Sequence, residues 1–285
     1  MTCWLRCGYR LLLRPGRRSE FMNASVLITT YNNVPYLRRV LESFLVQTVF
    51  PHEVIVADDG STEETAAAVR QFREQAPFPV GHVWQEHCGF RAARIRNEAI
   101  KASSGAYIIL LDGDCLVGRH FVADHLKLAE KGCFVQGKRV LVNEKAAADF
   151  THHTLNSFGA LVRLMREGQL GNMHHALRVP GIPAMKSRHL KSIKSCNMGF
   201  FRSDVYKVNG FNEDYVGWGH EDSDLACRFF KIGLVKKVHI ARAVCFHLWH
   251  PLFKGDDREN LKRLKTAVES AEYYVANGLV KKADR

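Results

Sequence analysis

A chain of 285 residues, 46% of them hydrophobic, has enough apolar mass to bury one substantial core. It has no run of about 18 apolar residues, the length a transmembrane helix needs. Its eight cysteines (3, 7, 88, 115, 133, 196, 227 and 245) form no CxxC pair, which argues against structural zinc or a disulfide framework and favours a reducing cytosol. The formal charge of +12 calls for an anionic partner, whether nucleotide diphosphate, acidic glycolipid, membrane surface or nucleic acid, without choosing among them.

Residues 1–21 are Arg-rich and carry only Leu11-Leu12-Leu13 as an apolar block, too short for a signal-peptide core. They read as a disordered extension, or as sequence upstream of a start at Met22. Residues 24–30 read as a buried strand ending in the turn Tyr31-Asn32-Asn33. A helix follows over 35–47, with Pro35 in its first turn and Leu37, Val40, Leu41, Phe44 and Leu45 on one face. Residues 53–57 form a second strand, broken by Asp58-Asp59-Gly60-Ser61. Ser61 or Thr62 then caps a helix that has Glu63 and Glu64 in its first turn. A strand at 80–85, a helix at 92–102 and a strand at 107–111 complete the alternation. Short apolar strands alternating with amphipathic helices predict a doubly wound, mostly parallel sheet. Such sheets bind ligands beyond the carboxyl ends of their strands, where Asn32, Asp58 and Asp112 lie.

The second half is less regular. A helix is expected over 146–167, and the stretch from Gly168 to Ser203 holds no acidic residue but has Arg178, Lys186, Arg188, Lys191, Lys194 and Arg202. Pro180, Gly181 and Pro183 mark it as loop, either a mobile cover over a site or a merely solvated basic segment. A strand at 243–246 and a last helix at 258–276, ending near Gly278, close the chain, the helix packing on its own domain.

Asp112 and Asp114 flank a glycine just after a buried strand. Alternate residues of an extended segment project the same way, so both carboxylates can face one divalent ion. Oxygen ligands suit magnesium or manganese, and a diphosphate would complete the shell. Asp58 can accept from a base N–H or a ribose hydroxyl, and capping of the next helix by Asp59 or Ser61 is an alternative reading of the segment that is compatible with that role. Arg91, Arg94 and Arg96, with Asn97, supply guanidinium forks suited to phosphate. In Gly217-Trp218-Gly219-His220-Glu221-Asp222-Ser223-Asp224 the indole offers a platform for the apolar face of a sugar ring. Asp222 is the candidate base for an attacking hydroxyl, with Glu221 orienting it; alternatively these acids simply begin the next helix, favoured by its dipole. His247 or His250, after the 243–246 strand, could add an imidazole to the metal shell, and His247 continues the strand more directly.

Taken in order, Thr29-Thr30-Tyr31-Asn32, the 53–61 segment, Arg96-Asn97 and Leu111-Asp112-Gly113-Asp114 resemble the inverting family 2 glycosyltransferases of GT-A fold. Asn197-Met198-Gly199-Phe200 and Gly217-Trp218-Gly219-His220-Glu221-Asp222 resemble the carboxyl half of β-1,4-galactosyltransferases and bacterial chondroitin polymerases, with His220 where glycine is usual and Ser223 where an acid is usual. The resemblance spans roughly residues 24–250 and implies an α/β GT-A domain over 22–255. Its nucleotide-sugar half is 22–140 and its acceptor half 141–255, followed by a carboxyl-terminal helix and tail over 256–285. It implies a UDP-sugar donor whose pyrimidine is held by Tyr31 and Asp58, a manganese or magnesium ion at Asp114 and His247, and Asp222 as base. Thr30, Asn32, Asp59, Arg91, Arg96, Asn97, Asp112 and Gly113 complete the expected donor site. Asn197, Met198, Trp218, Gly219 and Glu221 make the acceptor site. The expected activity is hexose transfer to a glycan or glycolipid in bacterial lipopolysaccharide or surface-polysaccharide synthesis. It would take place in the cytoplasm, with peripheral contact at the inner face of the membrane and no nucleic-acid partner. A nucleotidyltransferase would need a Gly-rich phosphate loop where Tyr31-Asn32-Asn33 stands, and a basic nucleic-acid-binding protein would leave the ordered acidic motifs unexplained.

Overall fold

The computed structural model describes residues 22–179, 181–251 and 255–281, so the reading of residues 1–21 lies outside it. The first half follows the expected alternation: β1 (Ala24–Thr30), α1 (Val34–Glu42), β2 (Glu53–Asp58), α2 (Glu63–Gln75), β3 (Val80–Trp84), α3 (Ala92–Ala102) and β4 (Tyr107–Asp112). These strands run parallel in the order β3-β2-β1-β4. Successive side chains on each strand go to opposite faces. Val26, Ile28, Val54, Val56, Ile109 and Leu111 therefore enter one core, and Leu27, Ile55, Ala57, Ile108 and Leu110 the other. With helices on both faces the sheet has no wet side, which is why its strands read as unbroken apolar runs. The first helix stops at Glu42 rather than at residue 47. Ser43 Oγ donates back to the Val40 carbonyl at 2.6 Å, and the Gln47 amide donates to Ser43 and Gly118 carbonyls, giving the backbone an alternative to another helical turn.

Past β4 the chain adds β5 (Cys115–Val117), α4 (Phe121–Leu128), β6 (Cys133–Gln136), β7 (Lys138–Val142), α5 (Glu144–Ala147), α6 (His152–Leu155), α7 (Phe158–Arg166), β8 (Leu170–Gly171), a 3-10 turn at Met173–His175 and β9 (Met185–Ser187). Then come β10 (Asn197–Phe201), α8 (Arg202–Lys207), α9 (Glu221–Lys231), β11 (Val235–Val238), β12 (Val244–His247) and α10 (Arg258–Glu269). The main sheet thereby grows to eight strands, β3-β2-β1-β4-β10-β6-β11-β9, with β10 antiparallel between β4 and β6. A second sheet, β5-β12-β7-β8, lies beside it.

Three expectations need correction. The single helix over 146–167 is three short ones, because Thr151 and Ser157 adopt extended backbone and the Ser157 side chain caps α7 by accepting from Ala160 N–H. The basic stretch is not all loop. Met185–Ser187 pairs with β11 as an edge strand, Arg178 forms a two-pronged ion pair with Asp124, and Lys186 pairs with Glu130. The last helix ends at Glu269, where Ser270 turns extended, and Gly278 instead packs against the Asn209 backbone. It does lie on its own domain, against α9. No helix among the described residues is long and apolar enough to cross a membrane.

Candidate active site

Strand register builds one side of the site. Thr30 pairs with Asp58 and Thr29 with Asp112, so the two carboxylates flank the carboxyl end of β1. Asp58 is fully buried and accepts from Ser61 N–H at 2.8 Å, with His82 Nε2 at 3.0 Å. Burial would raise its pKa, but the His82 and Ser61 hydrogen bonds outweigh that and hold it below the ordinary carboxylate range. Asn32 takes a left-handed backbone (φ 44°), with its N–H on Ser61 Oγ and its side-chain oxygen on Thr62 N–H. These bonds lock the β1 and β2 turns together and leave Tyr31 exposed, stacked on His87 at 4.3 Å. Trp84, donating to the Ser61 carbonyl, extends this aromatic wall. Thr30 Oγ1 is buried with no protein partner among the described residues, a polar atom suited to a ligand.

Several residues expected to touch the donor are spent on the protein. Asp59 accepts from Gln85 and from Arg91 N–H, and the Arg91 guanidinium donates to the Glu86 carbonyl, so the pair shapes the 85–91 loop. Asn97 is fully buried, with both ends of its amide on Phe211 and its NH₂ also on Glu213. Gly113 sits where a Cβ would lie about 3.0 Å from the Thr29 carbonyl. Arg96 is buried too. Its Nη1 donates to Glu221 at 2.8 Å, its Nη2 approaches Asp112 at 3.4 Å and its Nε approaches Thr29 Oγ1 at 3.3 Å. Rather than offering a free fork to phosphate, Arg96 ties the strand-end acid to the distant Glu221.

Asp112 is raised to about 8: burial dominates despite Arg96, and the nearby Cys196, Asp114 and Glu221 add to it. Asp114 has His250 Nε2 at 3.2 Å and His247 Nε2 at 3.6 Å. Burial pushes Asp114 up, yet hydrogen bonding from His250 and the two imidazoles hold it below its ordinary value. Burial keeps the His247 pKa low, favouring the neutral, ligating imidazole, whereas its Asp114 hydrogen bond raises His250 to about 9. The ligand atoms of Asp114, His247 and Cys115 lie within 4.8 Å of one another, a donor set that can hold a divalent ion, whereas Asp112 lies outside that group. The β5–β12 register, which pairs His247 with Cys115, is what brings His247 beside Asp114. His250, the alternative to His247 in the sequence reading, lies nearer to Asp114 than His247 does.

The other side of the cleft is built at the start of α9. His220, at φ 74°, precedes Glu221, and Asp222 accepts from Ser195 N–H at 3.2 Å and Ser223 Oγ at 3.1 Å. Burial and the adjacent Glu221 charge raise Asp222 to about 6. Asp224 turns away into a buried ion pair with Arg228, so that acid does belong to the helix. Trp218, 49% exposed, stands on a loop clamped by Asn260, whose Nδ2 donates to the Val216 and Trp218 carbonyls, and by the His220–Asp257 contact. Gly219 takes φ 99°, a backbone that glycine adopts without strain. Asn197 and Met198 are not at the acceptor surface. The Asn197 amide bridges Lys138 and Ala243 carbonyls and His125, and Met198 is fully buried. Asp112, Arg96, Glu221, Asp222 and Trp218 line one cleft of about 300 Å³, together with Lys194 of the basic stretch and with Arg139, which sequence reasoning missed because nothing adjacent in the chain marks it.

Residues 25–193 match the family described as Glycosyl transferase family 2, and residues 176–250 match the N-terminal domain of galactosyltransferase. Validoxylamine A glucosyltransferase of Streptomyces hygroscopicus subsp. limoneus is 29% identical over 233 residues, covering 77% of this chain and 50% of that protein. Chondroitin synthase of Escherichia coli is 26% identical over 237 residues, covering 77% and 34%. The chain thus spans half or less of the length of these relatives. Among solved structures, S. aureus TarS 1–349 in complex with UDP-GlcNAc aligns with a TM-score of 0.64 at 17% identity, covering 92% of this chain and 69% of that one. The mannosyltransferase PcManGT of Pyrobaculum calidifontis, in complex with GDP-Man and Mn2+, aligns at 0.54 and 22%, covering 85% and 60%. At these identities the likeness is one of fold, the GT-A fold.

Proposed function

Because the chain belongs to glycosyl transferase family 2, we propose that it moves a hexose from a UDP-sugar to a hydroxyl of a glycan or glycolipid, inverting the anomeric carbon. One observation carries the reading: Asp112 and Asp222, 110 positions apart in the sequence, line the same cleft, with Arg96 bonded between Asp112 and Glu221. Tyr31 and the buried Thr30 hydroxyl face the nucleoside, with Asp58 shaping the turn behind them. Asp112, Asp114 and His247, joined by His250, would hold manganese or magnesium, which when bound neutralises charge on the departing diphosphate. Asp222 takes the proton from the acceptor hydroxyl as it attacks opposite the diphosphate. Glu221, fixed by Arg96, orients that hydroxyl, and Trp218 supports the apolar face of the acceptor sugar. Supporting the substrate class are the relatives' names, which include a glucosyltransferase and a chondroitin synthase. A lipopolysaccharide or surface-polysaccharide precursor, met at the inner face of a membrane, is the acceptor we favour.

The test is incubation with Mn2+ and a panel of UDP-glucose, UDP-galactose, UDP-GlcNAc and GDP-mannose, following slow release of nucleoside diphosphate without acceptor. Release from a UDP-sugar supports the proposal. Release from GDP-mannose alone would reassign the base, and none from any donor would overturn it. Asp114→Ala should abolish Mn2+ binding in calorimetry and, with it, donor turnover; unchanged Mn2+ affinity would remove Asp114 from the shell.

The base must be ionised to act, and Asp222 is raised to about 6. Activity is therefore full above that value and falls as pH drops through it, about tenfold per unit on the acid limb of kcat/KM. A limb near the ordinary carboxylate value would show that burial does not tune this group.

A further inference from the structure

Three of the cysteines that stand apart in the chain meet in space. Cys115 begins β5 and Cys245 lies in β12, where the antiparallel register puts both on the same face of the small sheet as His247. Cys196 arrives from the other sheet, immediately before β10, whose Asn197 pairs with Leu111 beside Asp112. The three sulfurs lie within 4.8 Å of one another, and all three residues are buried. Packing alone would ask only for small apolar groups here. The cluster instead has a cation beside it. The half-buried Arg139 guanidinium is within electrostatic reach of all three sulfurs, as it is of Asp112. Negative charge on the sulfurs would therefore have a cation beside it.

We propose that Cys115, Cys196 and Cys245 form a thiolate site for one soft metal ion of the zinc class, adjoining the carboxylate–imidazole set at Asp114 through Cys115. On binding, three thiols release three protons to solvent and three sulfur–metal bonds form. A divalent ion with three thiolates carries one net negative charge, which Arg139 balances. Ligand softness sorts the two sites: sulfur selects zinc-like ions, while carboxylate suits magnesium or manganese. The bound ion would join the two sheets directly behind Asp114, and the hydrogen bond that Cys115 Sγ donates to Asp114 Oδ1 at 3.3 Å would be given up as that thiol loses its proton. The proposal stands whether or not the functional reading above does.

The reduced, metal-stripped full chain is titrated with Co2+ in excess Mg2+, which saturates the oxygen site. A single tight cobalt with a near-ultraviolet thiolate-to-cobalt charge-transfer band is expected, displaced by one equivalent of Zn2+ and lost in Cys196→Ser. Absence of that band in the wild-type chain overturns the proposal, as does an unchanged band in Cys196→Ser. Should that variant not fold, X-ray absorption of the zinc-loaded wild type decides. A shell with three sulfurs supports the site, and a shell of nitrogen and oxygen only overturns it.

Discussion

Replacing Asp222 by Asn is expected to lower turnover by about 100- to 10,000-fold, the usual contribution of a positioned general base, with the donor KM little changed. Asn keeps the size of the side chain; its oxygen can accept from Ser195 N–H while its NH₂ donates to Ser223 Oγ, so both contacts that hold Asp222 in place can be kept. What it removes is the negative charge and basicity of the carboxylate that would receive the acceptor proton. Interactions made only in the transition state act on kcat and kcat/KM alike, so this pattern separates a base from a residue that merely binds the acceptor. The measurement is steady-state kinetics with donor and acceptor varied in turn, alongside Mn2+-dependent donor binding. Near-normal kcat in Asp222→Asn would transfer the role to another group in the cleft, Glu221 being the nearest.

Arg96→Ala should be the most destabilising single change in the site. The guanidinium is almost wholly buried and bonds Glu221 while lying near Asp112. Its removal leaves carboxylates in a desolvated cleft without their counter-charge. Breaking a buried ion pair from one side costs about 3–5 kcal/mol, because the partner's desolvation is no longer offset. The urea midpoint should fall by a corresponding amount with the slope unchanged, and Arg96→Lys should recover only part, since a point charge cannot serve two carboxylates as a planar fork does. A loss under about 1 kcal/mol, as for exposed pairs, would mean that water reaches Glu221 and Asp112 freely. The effect should also extend to the acceptor side, because Glu221 loses its anchor.

The nucleotide half was legible because its strands are buried on both faces and its helices amphipathic, so local pattern and tertiary role agree. Strand ends then located Asp58, Asp112 and Asp114 without further information. The second half was less legible because β6, β9, β10 and β11 are three to five residues long and owe their existence to pairing partners far away in the chain. The same reason hid Arg139 and the meeting of Cys115, Cys196 and Cys245, since spacing rules for metal ligands see only neighbours in sequence. Asn97 and Asn197 were misread for a different cause. A motif marks a residue as needed without saying whether it meets the substrate, and here both amides fasten backbone segments that shape the cleft. Trp218, Glu221 and Asp222 were found correctly as a cluster, but not the reach of Asn260 into their loop.

That reach has a practical meaning for the architecture. Asn260 and Asp257, at the head of α10, hold the Trp218 loop, so the closing helix is a buttress to one wall of the cleft. Shortening the protein ahead of that buttress would leave the sheet and the cation ligands standing while the opposite bank of the cleft lost its shape.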